Sequence, residues 1–172
     1  MKKRTFLFGI AGLAWATRQR FTLRTDTTIA ASHEEVWAVL TDTASYPGWN
    51  PLITELTGPL RPGEPIRFVL QPSAGQSIRL RANVMQAEPG FELRWQGGLP
   101  LPGLLDIDHF FLLSTTYGGQ TVLHHGEDYK GALAPLLRPL LTRQLLPAFE
   151  TLNQAIKRRS ERTASPHAEE QA

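Results

Sequence analysis

The chain has no cysteine. Disulfides, thiolate nucleophiles and thiolate metal sites are therefore excluded, while the redox compartment is left open. Excess charge is also scarce: 18 Lys and Arg against 16 Asp and Glu leave a formal net charge of +2. The basic residues collect at the two ends, with Lys2, Lys3, Arg4, Arg18 and Arg20 at one and Lys157, Arg158, Arg159 and Arg162 at the other. They do not interleave with aromatics, so no nucleic-acid partner is expected. No apolar run is long enough to span a bilayer. Phe6 to Ala16 covers 11 residues, where a spanning helix needs about 20. A Gly-x-Ser-x-Gly elbow and a His-x-x-x-His pair are both missing, so a triad hydrolase is not expected and neither metal nor cofactor is implied.

What is present fits one domain. The 172 residues are 41% apolar, enough to bury a sizeable core. Composition divides the chain into a basic and apolar leader (1–20), a domain (21–162) and a polar tail (163–172) expected to be disordered. In the leader, Lys2-Lys3-Arg4, the apolar run and Ala14-Trp15-Ala16 resemble the three regions of a secretory signal. An export signal, an interfacial anchor with basic flanks and a helix docked on the domain all suit it. Export or membrane association is preferred to cytoplasmic residence, because Phe6-Leu7-Phe8-Gly9-Ile10 needs an apolar partner.

Within the domain, Phe21 to Ile29 has the Thr-rich composition of a strand. Ser32-His33-Glu34-Glu35 is a capping box, followed by Val36, Trp37, Val39 and Leu40 on one helix face that ends near Asp42. Tyr46-Pro47-Gly48-Trp49-Asn50-Pro51 is held stiff by its prolines, which places Trp49 at a corner either as a plug for the core or as the closure of a site. Strands are expected at 53–57, 65–70, 77–88, 92–97, 104–114 and 120–130, divided by turns such as Arg61-Pro62-Gly63 and Glu88-Pro89-Gly90, which together make an antiparallel meander. Leu133 to Arg159 follows a helical period, with Leu141, Leu145, Phe149, Leu152 and Ile156 on one stripe. Pro139 and Pro147 predict an irregular start before Leu140 and a kink near Pro147.

Strand parity assigns the inward side chains. Ile66, Phe68 and Leu70 share one face, as do Leu93, Trp95 and Gly97. On the last two strands the inward sets turn mixed: Ile107, His109, Phe111 and Leu113 on one, Leu123, His125, Glu127 and Tyr129 on the other. If Tyr117-Gly118-Gly119 is a three-residue hairpin loop, Phe111 lies opposite His125 and His109 opposite Glu127. His124 points to the other side. Glu127, His109 and His125 are thus candidates for acid/base work, with a structural pair between strands as the plainer reading.

These residues and their order resemble the START-like helix-grip superfamily (SRPBCC), in its bacterial polyketide cyclase/dehydrase and lipid-transport branch. The resemblance runs from about Phe21 to Glu161. It is carried by Val36-Trp37, the Tyr46 to Pro51 turn, Glu88-Pro89-Gly90 with Leu93-Arg94-Trp95, Pro102-Gly103-Leu104 with His109 and Phe111, Thr121 with His125, Glu127, Tyr129 and Gly131, and Phe149, Leu152-Asn153, Ala155 and Lys157. Ala82 stands where relatives commonly have proline, and Tyr129 where they commonly have phenylalanine. The resemblance implies an α+β helix-grip fold. In it a curved antiparallel sheet of six or seven strands wraps a long C-terminal helix, short helices follow the first strand, and an apolar ligand cavity lies between sheet and helix. The expected function is binding or transport of a small hydrophobic or amphipathic molecule. Trp49, Phe68, Trp95, Phe111 and Phe149 would supply apolar contact, and His109, His125, Glu127, Tyr129 and Asn153 the polar groups. Alternatives are a cyclase/dehydratase-type enzyme and a membrane-associated interaction protein.

Overall fold

The computed structural model describes residues 19–169, with side chains to residue 164. The leader therefore lies outside the described residues except for its last two positions. Arg20 opens β1 (Arg20–Ile29), one residue before the expected start. Helix α1 (His33–Thr41) begins at the capping box: the Ser32 hydroxyl accepts from the Glu35 amide at 3.2 Å, and the Glu35 carboxylate accepts from the Ser32 amide at 2.7 Å. A short 3-10 helix (Thr43–Gly48) then leads to β2 (Ile53–Thr57), β3 (Pro65–Leu70), β4 (Ile78–Glu88), β5 (Glu92–Gly98), β6 (Asp106–Thr115) and β7 (Thr121–Lys130). The chain ends on helix α2 (Ala134–Glu169).

All seven strands form one antiparallel sheet in the order β1-β7-β6-β5-β4-β3-β2. Short turns explain the meander from β2 to β7, while β1 joins it on the far side of β7. Register shifts at Ile53/Glu55 and Val84/Gln86 insert extra residues, which bends the strands and helps the sheet curve. Helix α2 packs on β1, α1 and β7. It buries Leu145, Phe149, Leu152 and Ile156 against inward residues such as Leu23, Leu93, Trp95, Phe111 and Leu123. This is the helix-grip architecture.

Two expectations for α2 need correction. The helix is continuous from Ala134 through both Pro139 and Pro147. Each proline withholds one donor, but both face outward, as do Pro135 and Arg143, whose carbonyls would have accepted and can take water instead. The inward stripe of Leu137, Leu141, Leu145 and Phe149 meanwhile holds the helix on the core. Nor does the helix stop at Arg159 or give way to a disordered tail at residue 163, since it continues to Glu169. Ile156 and Ser160 are buried, Lys157 pairs with Glu161 at 3.0 Å, and Glu161 accepts the Ala30 amide at 2.9 Å. These contacts hold the helix to the end of β1 as far as Glu161.

On the outer face, Phe110 is buried although its parity points away from the core. Arg94 lies over its ring, held by Glu92 at 2.6 Å and Asp108 at 3.2 Å. Gly126, directly opposite Phe110, leaves room for the ring.

Candidate functional site

The β6–β7 register is the one that the three-residue loop requires: His109 stands opposite Glu127 and Phe111 opposite His125. Thr116 and Gln120 close that loop with a backbone hydrogen bond of 2.8 Å. Strand pairing thus brings two candidates together on the inner face. His109 Nδ1 lies 3.0 Å from Glu127 Oε1, and the Tyr129 hydroxyl donates to Glu127 Oε2. Both carboxylate oxygens are therefore occupied by donors. Burial first, and the neighbouring Glu127 second, hold the Tyr129 hydroxyl well above the ordinary phenol range, so it serves as a donor and not as an acid.

Nδ1 of His109 faces the carboxylate, so the neutral form that this contact supports is the Nδ1–H tautomer, with the lone pair on Nε2. That atom is buried and has no hydrogen-bond partner among the described residues. The ring is pinned by Trp95, which stacks on it at 4.4 Å with the planes 7° apart. A buried imidazole nitrogen without a partner costs free energy. In that tautomer it can accept a hydrogen bond from an incoming molecule.

His125 has a different environment. Its Nδ1 lies 2.7 Å from Asn153 Oδ1, while the Asn153 amide nitrogen donates to Thr25 Oγ1 at 2.9 Å and Thr27 Oγ1 at 3.3 Å. This chain ties α2 to β7 and β1. The amide nitrogen is engaged by threonines, so the oxygen faces the ring and Nδ1 is the donor. Complete burial, with the adjacent His109 adding to it, holds the His125 pKa well below the usual histidine range. Phe111 and Phe149 flank it at 4.5 and 4.3 Å. His124 points outward, as its parity requires, to Asp26 and Ser114.

A cavity of about 430 Å³ lies between the inner face of the sheet and α2. Ile53, Phe68, Leu70, Leu105, Ile107, Leu141 and Leu145 give it apolar walls, and Trp95, His109, Glu127 and Tyr129 form its polar and aromatic side. Of the expected ligand-contacting residues, Phe68, Trp95, His109, Glu127 and Tyr129 line this space. Phe111, His125, Phe149 and Asn153 are fully buried outside the lining, where they support it. Trp49 is elsewhere. Its ring meets Tyr46 edge to face at 5.3 Å, its indole N–H donates to Ser45 at 2.9 Å, and Arg159 covers it at 5.4 Å. The prolines fix the backbone of that corner, but not the direction of the side chain, and Trp49 packs between the 3-10 helix and Arg159 of α2.

Several lining residues were not singled out from the sequence. Ile107, Leu141 and Leu145 were visible through their parity and helical stripe, and Leu105 continues the apolar segment before β6. Arg81 and Gln144, which also line the cavity, left no sequence signal because an exposed strand arginine and a helical glutamine are ordinary surface residues.

Comparison with known proteins places this geometry. No curated protein matches the chain in sequence. Among solved structures, the di-domain aromatase/cyclase StfQ of the steffimycin biosynthetic pathway is similar at 17% identity and a TM-score of 0.69, over 85% of this chain and 52% of that one. The chain thus spans about half of that di-domain protein. The Zhui aromatase/cyclase from a Streptomyces species aligns at 16% identity and a TM-score of 0.66, over 84% of this chain and 95% of that one. A START superfamily protein from Mycobacterium smegmatis aligns at 20% identity and a TM-score of 0.64, covering 83% and 98%. At these identities the likeness is one of fold. The sequence family described as polyketide cyclase/dehydrase and lipid transport matches residues 20–161, nearly the whole described domain, and the chain belongs to that family.

Proposed function

We propose that the protein binds a small hydrophobic or amphipathic molecule in the cavity between sheet and α2, as a carrier and not as a catalyst. The observation that carries this reading is the make-up of the wall. Apolar side chains from β2, β3, β6 and α2 surround one compact polar cluster, the arrangement by which pockets of this size hold and orient apolar ligands. Trp95 and Phe68 offer ring faces, and His109 Nε2 offers an acceptor for a single hydroxyl or N–H on the ligand. The family and the aromatase/cyclase neighbours support a ligand of lipid or polyketide type. The test is titration with a fluorescent apolar probe, together with native mass spectrometry of protein purified from its own host. Saturable binding that quenches or shifts Trp95 emission, with the probe recovered unchanged, is expected. A failure to saturate would overturn the reading.

A second reading, a cyclase/dehydratase-type enzyme, is favoured by the same nitrogen. An imidazole held through Nδ1 on a carboxylate, with Nε2 free, has the form of a general base. Glu127→Gln separates the two readings. The amide keeps the shape of the carboxylate but no longer offers two acceptor oxygens, so it withdraws the support for the Nδ1–H tautomer. A carrier would retain most of its probe affinity and have no turnover to lose. An enzyme acting on an aromatic polyketide or a β-hydroxy carbonyl compound would lose about 10²- to 10⁴-fold in rate with binding intact.

A further inference from the structure

The cavity opens at an end of the molecule that combines exposed apolar side chains with charge of one sign. Ile78 and Leu80 on β4, Leu99 and Leu101 on the β5–β6 loop, and Leu136 and Leu140 on α2 are all exposed, Leu101 and Leu136 at 64% and 75%. Ile78, Leu80 and Leu99 border the cavity itself, and Leu140 borders an adjoining groove that shares Pro72 and Gln144 with it. Arg79, Arg81, Arg138 and Arg143 stand exposed among them, and none forms an ion pair among the described residues. The three segments that frame the mouth, 71–81, 97–105 and 131–149, contain none of the chain's 16 Asp and Glu. Two acids follow these segments directly: Asp106, which stands opposite Lys130, and Glu150, exposed on α2.

The leader joins the fold at this same end. The Gln19 carbonyl accepts from the Gly131 amide at 3.0 Å, and the next two amides, Ala132 and Leu133, bond to Gly103 and Leu104 of the mouth loop. Gln19 is thus held beside the start of α2, and the sequence before it carries Lys2, Lys3, Arg4 and Arg18 around an apolar run.

We propose that this end docks on an anionic lipid surface, with the leucine rim inserted at the interface and the four arginines among the headgroups. Leucine with arginine, and no carboxylate in the three framing segments, matches the apolar-plus-cationic composition of interfacial binding surfaces, although Glu55 borders the outer groove of Arg79 and Arg81. A second copy is a poor occupant, because a two-fold interface would set the arginines against themselves. The basic leader folded over the rim would meet the same repulsion. Docking stands on this surface alone. That the ligand passes between bilayer and cavity at the docked mouth rests, in addition, on the binding reading above.

The absence of cysteine makes the test direct. In the full-length protein, a single Leu101→Cys carries an environment-sensitive dye, and Tyr117→Cys, at the fully exposed tip of the β6–β7 hairpin at the other end of those strands, is the control. Vesicles of phosphatidylcholine mixed with phosphatidylglycerol should blue-shift the dye at position 101 and leave that at 117 unchanged, and phosphatidylcholine alone should do much less. Leu136→Ser with Leu140→Ser should weaken vesicle binding by about tenfold or more, since each leucine gives up apolar burial at the interface. The docking surface is refuted by a dye at 101 that does not respond, or by vesicle binding that the double serine variant leaves intact, which would assign binding to the leader alone. It is equally refuted by a shift without vesicles: one that grows with protein concentration marks a second copy, and one already present in dilute protein marks the leader. Probe titration of the same proteins in solution reports the cavity separately, so lost docking with intact probe binding would leave the binding reading standing.

Discussion

His125 shows how much of this site is support for its neighbours. It is fully buried, holds α2 through Asn153, and remains uncharged because burial and His109 oppose its protonation. The folded pKa is depressed below the ordinary histidine value of about 6.5, so at pH values beneath that the unfolded chain takes up a proton that the folded chain refuses. Stability is therefore full above about pH 6.5 and falls as the pH drops towards the folded pKa, with a limiting slope of ~1.4 kcal/mol per pH unit for one proton. Urea unfolding of wild type and His125→Gln at a series of pH values should show a stability difference that shrinks as the pH falls from 7 to 5. A constant difference would mean that His125 titrates alike in both states. The pairing of this residue with Phe111, and of His109 with Glu127, was legible in the sequence because a three-residue loop fixes the register and parity fixes the face. The Asn153 contact was not, since it depends on how α2 is rotated over the sheet.

At the scale of elements, strand positions were the most legible feature. Apolar alternation and Pro-Gly turns mark β2 and β3 at their observed limits, and the other strands within two residues. Helix α2 was read less well because the local rule for proline was applied without regard to the face it occupies. On an exposed face the missing donor leaves a carbonyl to solvent, and the packed stripe opposite decides the helix. Gly126 is the converse, a residue with no sequence signal whose lack of a side chain shapes the outer surface. A Cβ there would come within 2.3 Å of the Leu23 carbonyl oxygen and 2.8 Å of the Phe110 ring. The backbone oxygen cannot move without breaking the β1–β7 pairing. Gly126→Ala is expected to cost about 1 to 3 kcal/mol, the usual range for overpacking, and to release Phe110 from beneath Arg94. Thermal unfolding together with exchange of the β1 and β7 amides would detect this. A protein as stable as wild type would show that the two strands can separate at no cost.

The molecule as a whole poses the question of whether the space between sheet and α2 is a binding cavity or loose packing. Parity predicts which side chains face inward, but the volume they leave depends on sheet curvature, on rotamers and on the height at which α2 rides, none of which has a local signature in the sequence. The same is true of the mouth, where segments distant in the chain combine into one acid-free rim. Ile107 offers a way to decide. It lines the cavity, is only half-buried, makes no side-chain hydrogen bond of its own, and stands on β6 two residues from His109 and directly opposite Tyr129. Ile107→Trp would place an indole in that space. If the space is the ligand site, the variant should lose probe affinity by tenfold or more. Its stability should change by less than the 1 to 3 kcal/mol typical of forcing atoms into a close-packed core, because room for the ring already exists. Loose packing predicts a different pair of results: probe affinity that was weak and non-saturating in wild type, and a variant that gains stability by filling the gap. A variant that keeps full probe affinity while losing stability would move the ligand site away from the cavity altogether, and with it the role assigned to Trp95 and His109.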